Sequence, residues 1–131
     1  MKQTIIFLTF TMFYLTNLKA QTSLSCNYRQ YCDWNVTTDK FENCKGYEDT
    51  SLFVMNEAET MFTHTTETVK TTYFVDSKEY DKVNDVYTYE VTSDTGKNYY
   101  YVFDIKGEQV RVVLDEKGKT KLIIFTVKTV F

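Results

Sequence analysis

The stretch NYYYVFDIKGEQVRVVLD, residues 98–115, holds two β-rich runs around a Lys106-Gly107 break. In a strand, successive side chains face opposite ways, so Tyr99, Tyr101 and Phe103 share one face while Tyr100 and Val102 take the other. Closing the chain at Lys106-Gly107 opposes Phe103 to Val110, Tyr101 to Val112 and Tyr99 to Leu114, every pair apolar. A slip of one residue would set Phe103 against Arg111 and turn the face inside out. The pattern therefore specifies an antiparallel hairpin with a defined register.

The same meter extends both ways. Gly96, Gly107 and Gly118 recur every eleven residues, each beside lysine and other turn formers, a spacing that argues for a meander of short strands. A three-residue loop at Asp94-Thr95-Gly96, with the glycine left-handed, opposes Val91 to Tyr99, Tyr89 to Tyr101 and Tyr87 to Phe103. Downstream, TKLIIFTVKTVF carries apolar groups on both faces. A two-residue Lys117-Gly118 turn puts Ile123 and Phe125 beside Val112 and Val110, a three-residue loop Leu122 and Ile124; we take the first. Upstream, SLFVM, TMFTHT and TVKTTYFV are rich in β-branched and aromatic residues, and a ten-residue connection, DSKEYDKVND, leads into VYTYEVT. About seven strands are thus expected between residues 50 and 131, forming a mainly β, curved antiparallel sheet or a small up-and-down barrel.

The remainder of the chain is expected to divide in two. Met1-Lys2, the uncharged run from Ile5 to Leu18 and the small Ala20 have the anatomy of a cleaved secretory signal over residues 1–20. Its apolar run is shorter than the roughly 20 residues a bilayer-spanning helix needs, so no transmembrane segment is expected once the signal is removed. The destination is secreted or periplasmic. Residues 21–49 form a cysteine-containing segment, short and helical or irregular, in which Leu24, Tyr28, Tyr31 and Cys32 fall at helical spacing. Its expected place is across the outer apolar stripe of Tyr100, Val113 and Leu122, with Trp34 and Phe41 extending the cover, because a bare patch of that kind is uncommon on an exported domain. Residues 21–131 form one globular domain.

All three cysteines, Cys26, Cys32 and Cys44, lie in this segment. An oxidising compartment pairs two of them and leaves one thiol free or linked to another chain, so the protein is a monomer or a cysteine-linked dimer. Their spacing does not suit a structural zinc site. With residues 1–20 removed, thirteen basic side chains face eighteen acidic ones, for a net charge of −5. Nothing forms the clustered basic footprint that nucleic acid requires.

Chemistry-bearing residues are few. The single histidine, His64, sits in TMFTHTTE, where strand alternation keeps Thr63 and Thr65 off its side and leaves Phe62 and Thr66 on it. We expect a threonine-rich strand with a solvated histidine; a hydrolase-type enzyme centred on His64 is the alternative. No catalytic motif with a defined mechanism occurs, and neither a cofactor nor a metal centre is expected. Asp76, Glu79, Asp81 and Asp85 in the DSKEYDKVND loop do not follow the EF-hand calcium pattern. Asn35-Val36-Thr37 is a glycosylation sequon.

In architecture alone, the meander over residues 50–131 resembles the small calycin or lipocalin-like barrels. It lacks their G-x-W motif, since Trp34 follows Cys32-Asp33, so the resemblance transfers no functional residue. The expectation is a non-enzymatic binding or interaction module. It would hold an apolar small molecule in an interior of Tyr87, Tyr89, Tyr99, Tyr101 and Phe103, or a protein partner on the Tyr100 and Val113 face.

Overall fold

The computed structural model describes residues 22–131, so the expected signal segment lies outside the described residues. Eight antiparallel strands follow in order, β1 (Thr22–Asn35), β2 (Lys40–Met55), β3 (Met61–Thr65), β4 (Lys70–Asp81), β5 (Val86–Ser93), β6 (Asn98–Asp104), β7 (Gln109–Glu116) and β8 (Lys119–Val130). Each pairs with its neighbour, and β1 returns to pair with β8, closing an up-and-down barrel. Closure is complete at the level of the ring, but β3 is short. It pairs β2 only over residues 52–55 and β4 only over residues 70–74, so residues 40–51 and the end of β4 pair on one side.

The register follows the apolar alternation. Tyr87 opposes Phe103, Tyr89 opposes Tyr101 and Val91 opposes Tyr99; Phe103 opposes Val110 and Tyr101 opposes Val112. Across the last hairpin, Val110 meets Phe125 and Val112 meets Ile123, as the two-residue turn requires. Lys117 and Gly118 both take positive φ, at 53° and 78°, the left-handed pair that suits the twist of a two-residue hairpin.

Residues 21–49 do not form a helix or a cover. They supply β1 and most of β2, two staves of the barrel wall. The four residues at helical spacing do not share a face: Leu24 and Tyr31 point inward and Tyr28 and Cys32 outward, and a bulge breaks the strand period between them. Leu24 and Cys26 face inward, the register shifts between Cys26 and Tyr28, and Arg29 and Tyr31 then take the inner side opposite Phe125 and Ile123. A bulge replaces one step of two with a step of three, so the inward set no longer alternates. Cys32 bonds to Cys44 and opposes Leu122 on the outer face. The disulfide, rather than a helix, thus ends the outer row of Tyr100, Val113 and Leu122.

The DSKEYDKVND stretch is likewise mostly strand: β4 runs to Asp81, with a bulge between Val75 and Ser77, and only residues 82–85 turn. Its polar composition reflects a hairpin with most side chains exposed, where Tyr80 stacks on Tyr87 at 4.4 Å.

Inside, the middle of the barrel is filled. Phe53, Phe62, Phe125, Val91 and Val110 are almost wholly buried. Phe53 meets Phe125 edge-on at 5.2 Å and Phe103 at 6.0 Å, while Phe62 meets Tyr101 at 4.9 Å and Phe103 at 5.4 Å. These separations suit the edge-to-face preference of aromatic pairs, so the rings form a packed core rather than a hollow.

Candidate functional site

Because the middle is packed, an interior site can lie only toward the ends of the barrel; a separate hollow of about 570 Å³ on the wall is lined by Tyr99, Tyr100, Val113 and Thr120. One end is formed by the start of β1, the end of β8 and the β2–β3, β4–β5 and β6–β7 turns. There the interior opens into a cavity of about 350 Å³, at the small end of the range for ligand pockets. Leu24, Phe53, Met55, Phe103, Ile105 and Val130 supply its apolar lining, Tyr87 and Tyr89 its aromatic hydroxyls, and Glu57, Glu59 and Asp85 its carboxylates. Glu59 and Asp85 are turn residues held at positive φ, 54° and 55°. Glu59 accepts a hydrogen bond from buried Tyr89 at 3.2 Å and pairs with Lys78 at 2.7 Å. Asp85 accepts from Tyr80 at 2.8 Å. Burial, then the Glu59 charge, pushes the Tyr89 hydroxyl well above the usual tyrosine range, so it stays protonated and acts as a donor.

The opposite end is polar, and Arg29, Asp49, His64 and Thr66 line a hollow of about 440 Å³ there. Arg29 pairs with Asp49 and donates to the Tyr31 hydroxyl at 2.8 Å. Its guanidinium lies 4.9 Å from the Phe125 ring centre. His64 points inward, correcting the solvated position expected for it: its ring stacks on Phe53 at 4.2 Å and meets Phe125 edge-on at 5.0 Å. Burial, with the Arg29 charge adding to it, lowers its pKa to about 4, so the imidazole is neutral near pH 7. Its Nε2 is buried without a hydrogen-bond partner, and Asp49 serves Arg29 instead. The nucleophile and orienting acid that histidine catalysis needs do not converge on it among the described residues.

The residues singled out in the sequence separate into two faces. Tyr87, Tyr89, Tyr101 and Phe103 belong to the interior, and of these Tyr87, Tyr89 and Phe103 line the open mouth. Tyr101 is buried in the packed middle. Tyr99 packs edge-on against Tyr73 at 5.7 Å, away from that mouth. Tyr100 is 48% exposed on the outside and donates to Glu90 at 2.8 Å, beside Val113. The interior expected to hold a small molecule is thus open only in part, at the mouth that Tyr87, Tyr89 and Phe103 line. Leu24 and Val130 meet across the β1–β8 seam, which no local pattern encodes, whereas Ile105 continues the alternation of Tyr101 and Phe103 and is legible in the sequence.

Cys26, the unpaired cysteine, is buried in the core, and burial pushes its thiol up to about 12. A link through it to a second chain would require the core to open. The carboxylates of Asp76, Glu79, Asp81 and Asp85 are strung along β4 and its turn, and no group of three metal-binding side chains converges among the described residues. No protein-family model, no curated protein and no solved structure matches the chain.

Proposed function

We propose that this protein is an exported, non-enzymatic binding module that takes a small apolar ligand in the mouth rimmed by Glu57, Glu59 and Asp85. The observation that carries the reading is that mouth: an apolar floor of Leu24, Phe53, Met55 and Phe103 beneath an open rim, in a barrel whose middle is otherwise filled. Apolar walls with a few placed polar groups are the usual make-up of a small-molecule site. Export is supported by the signal anatomy of residues 1–20 and by the Cys32–Cys44 disulfide, a bond that persists in oxidising compartments.

The test is titration with N-phenyl-1-naphthylamine, a dye that brightens in apolar surroundings. Saturable binding at one site is expected, lost when Ile105→Trp fills the mouth and retained when Tyr100→Ala alters the outer face. Dye binding that survives Ile105→Trp but not Tyr100→Ala would move the site to the outer face and overturn the reading.

A further inference from the structure

We infer, on the basis of that reading of the mouth, that its ligand is a small amine: a protonated nitrogen carried on a short alkyl or aromatic body. Three carboxylates line the cavity and no lysine or arginine does. Among the described residues only Glu59 has a basic partner, Lys78, which leaves Glu57 and Asp85 uncompensated at the rim. A neutral ligand that filled the mouth would strip water from these carboxylates and return nothing, whereas an ammonium group restores both charge and hydrogen bonds. A carboxylate-bearing ligand would meet like charge at the rim.

The walls favour the same chemistry. Tyr87 and Tyr89, which line the cavity, lie parallel at 6.2 Å with Tyr80 stacked on Tyr87 at 4.4 Å, an aromatic wall of the kind that attracts cations. Size sets the other limit. A cavity of about 350 Å³ with Phe53 and Phe103 as its floor admits a short chain or a compact aromatic body and excludes the long acyl chains that a hollow barrel would hold. The opposite end offers a contrast, since Arg29 there is already matched by Asp49.

The test compares three probes of equal length, hexylamine, hexanol and hexanoate, each displacing N-phenyl-1-naphthylamine from the wild-type protein at neutral pH. Hexylamine is expected to bind roughly tenfold or more tighter than hexanol, with hexanoate weakest. The amine preference should shrink as ionic strength rises and vanish in Glu57→Gln/Asp85→Asn, where hexylamine weakens while hexanol, relieved of the cost of desolvating the two carboxylates, binds somewhat tighter. Asparagine tolerates the left-handed backbone at position 85, and Glu57→Gln alone, in an exposed turn, should halve the effect if the double variant folds poorly. Equal affinity for hexylamine and hexanol would overturn the amine inference and leave the apolar mouth standing. Failure of all three to displace the dye would overturn the mouth itself.

Discussion

His64 stacks on Phe53 at 4.2 Å with its pKa lowered to about 4 by burial, and this has a consequence for stability. In the unfolded chain the imidazole titrates near 6.5, so between roughly pH 6.5 and 4 the unfolded state binds a proton that the folded state refuses. The contribution of His64 is therefore fully present above the unfolded pKa and is lost as the pH falls toward the folded one, to the extent of about 3 kcal/mol. Replacement by phenylalanine keeps the stack and removes the titration. His64→Phe should flatten that part of the stability curve measured by urea unfolding between pH 7 and 4, while the carboxylate-dependent remainder persists. Phe53 itself, 2% exposed, should cost about 3–5 kcal/mol on truncation to alanine, seen as a lower urea midpoint. At this scale the sequence was partly legible. Alternation alone places Tyr89, Tyr101 and Phe103 inside, and it also puts His64 on the side of Phe62. The threonines on either side of His64 give this strand a polar composition that masks the inward period His64 shares with Phe62.

At the scale of the element, the turns show which glycines matter and why. Gly96, at φ 87°, is left-handed as its three-residue loop demands, and Gly96→Ala should cost about 1 kcal/mol or more. Gly107 is different: the left-handed residue of that turn is Glu108, at φ 55°. What Gly107 provides is room, because its amide donates to the Asp104 carboxylate at 2.9 Å and a Cβ there would collide with that group. Glu108→Gly should consequently raise stability by about 0.5–1 kcal/mol, whereas Gly107→Ala should lower it, both measured as shifts in thermal midpoint. The even spacing of glycines thus marked the hairpins correctly while hiding two physical causes. The β1–β2 hairpin was not legible, because its bulge between Cys26 and Tyr28 disguises the strand period. The Cys32–Cys44 bond, at a sequence separation of 12, fastens that hairpin. Chain entropy for a loop of this length predicts a loss of about 3 kcal/mol in the Cys32→Ser/Cys44→Ser variant, read from its urea midpoint beside that of the wild type.

For the whole molecule, closure of β1 on β8 converts a meander into a barrel with an apolar mouth at one end and a polar hollow at the other. Tyr87, Tyr89, Phe103 and Ile105, placed on the inner face by local pattern, share the mouth with Leu24, Met55 and Val130 once the barrel closes. Long-range pairing of this kind leaves little trace in a single sequence, which is why the strands were more legible than the site. The measurement that tests the central claim most directly is methyl-detected NMR of the protein titrated with hexylamine. Chemical-shift changes are predicted to gather on the methyl groups of Leu24, Met55, Ile105 and Val130 and to leave Val113 and Leu122 on the outer face unmoved. Shifts confined to Val113 and Leu122, or absent at saturating hexylamine, would contradict the open mouth as the binding site.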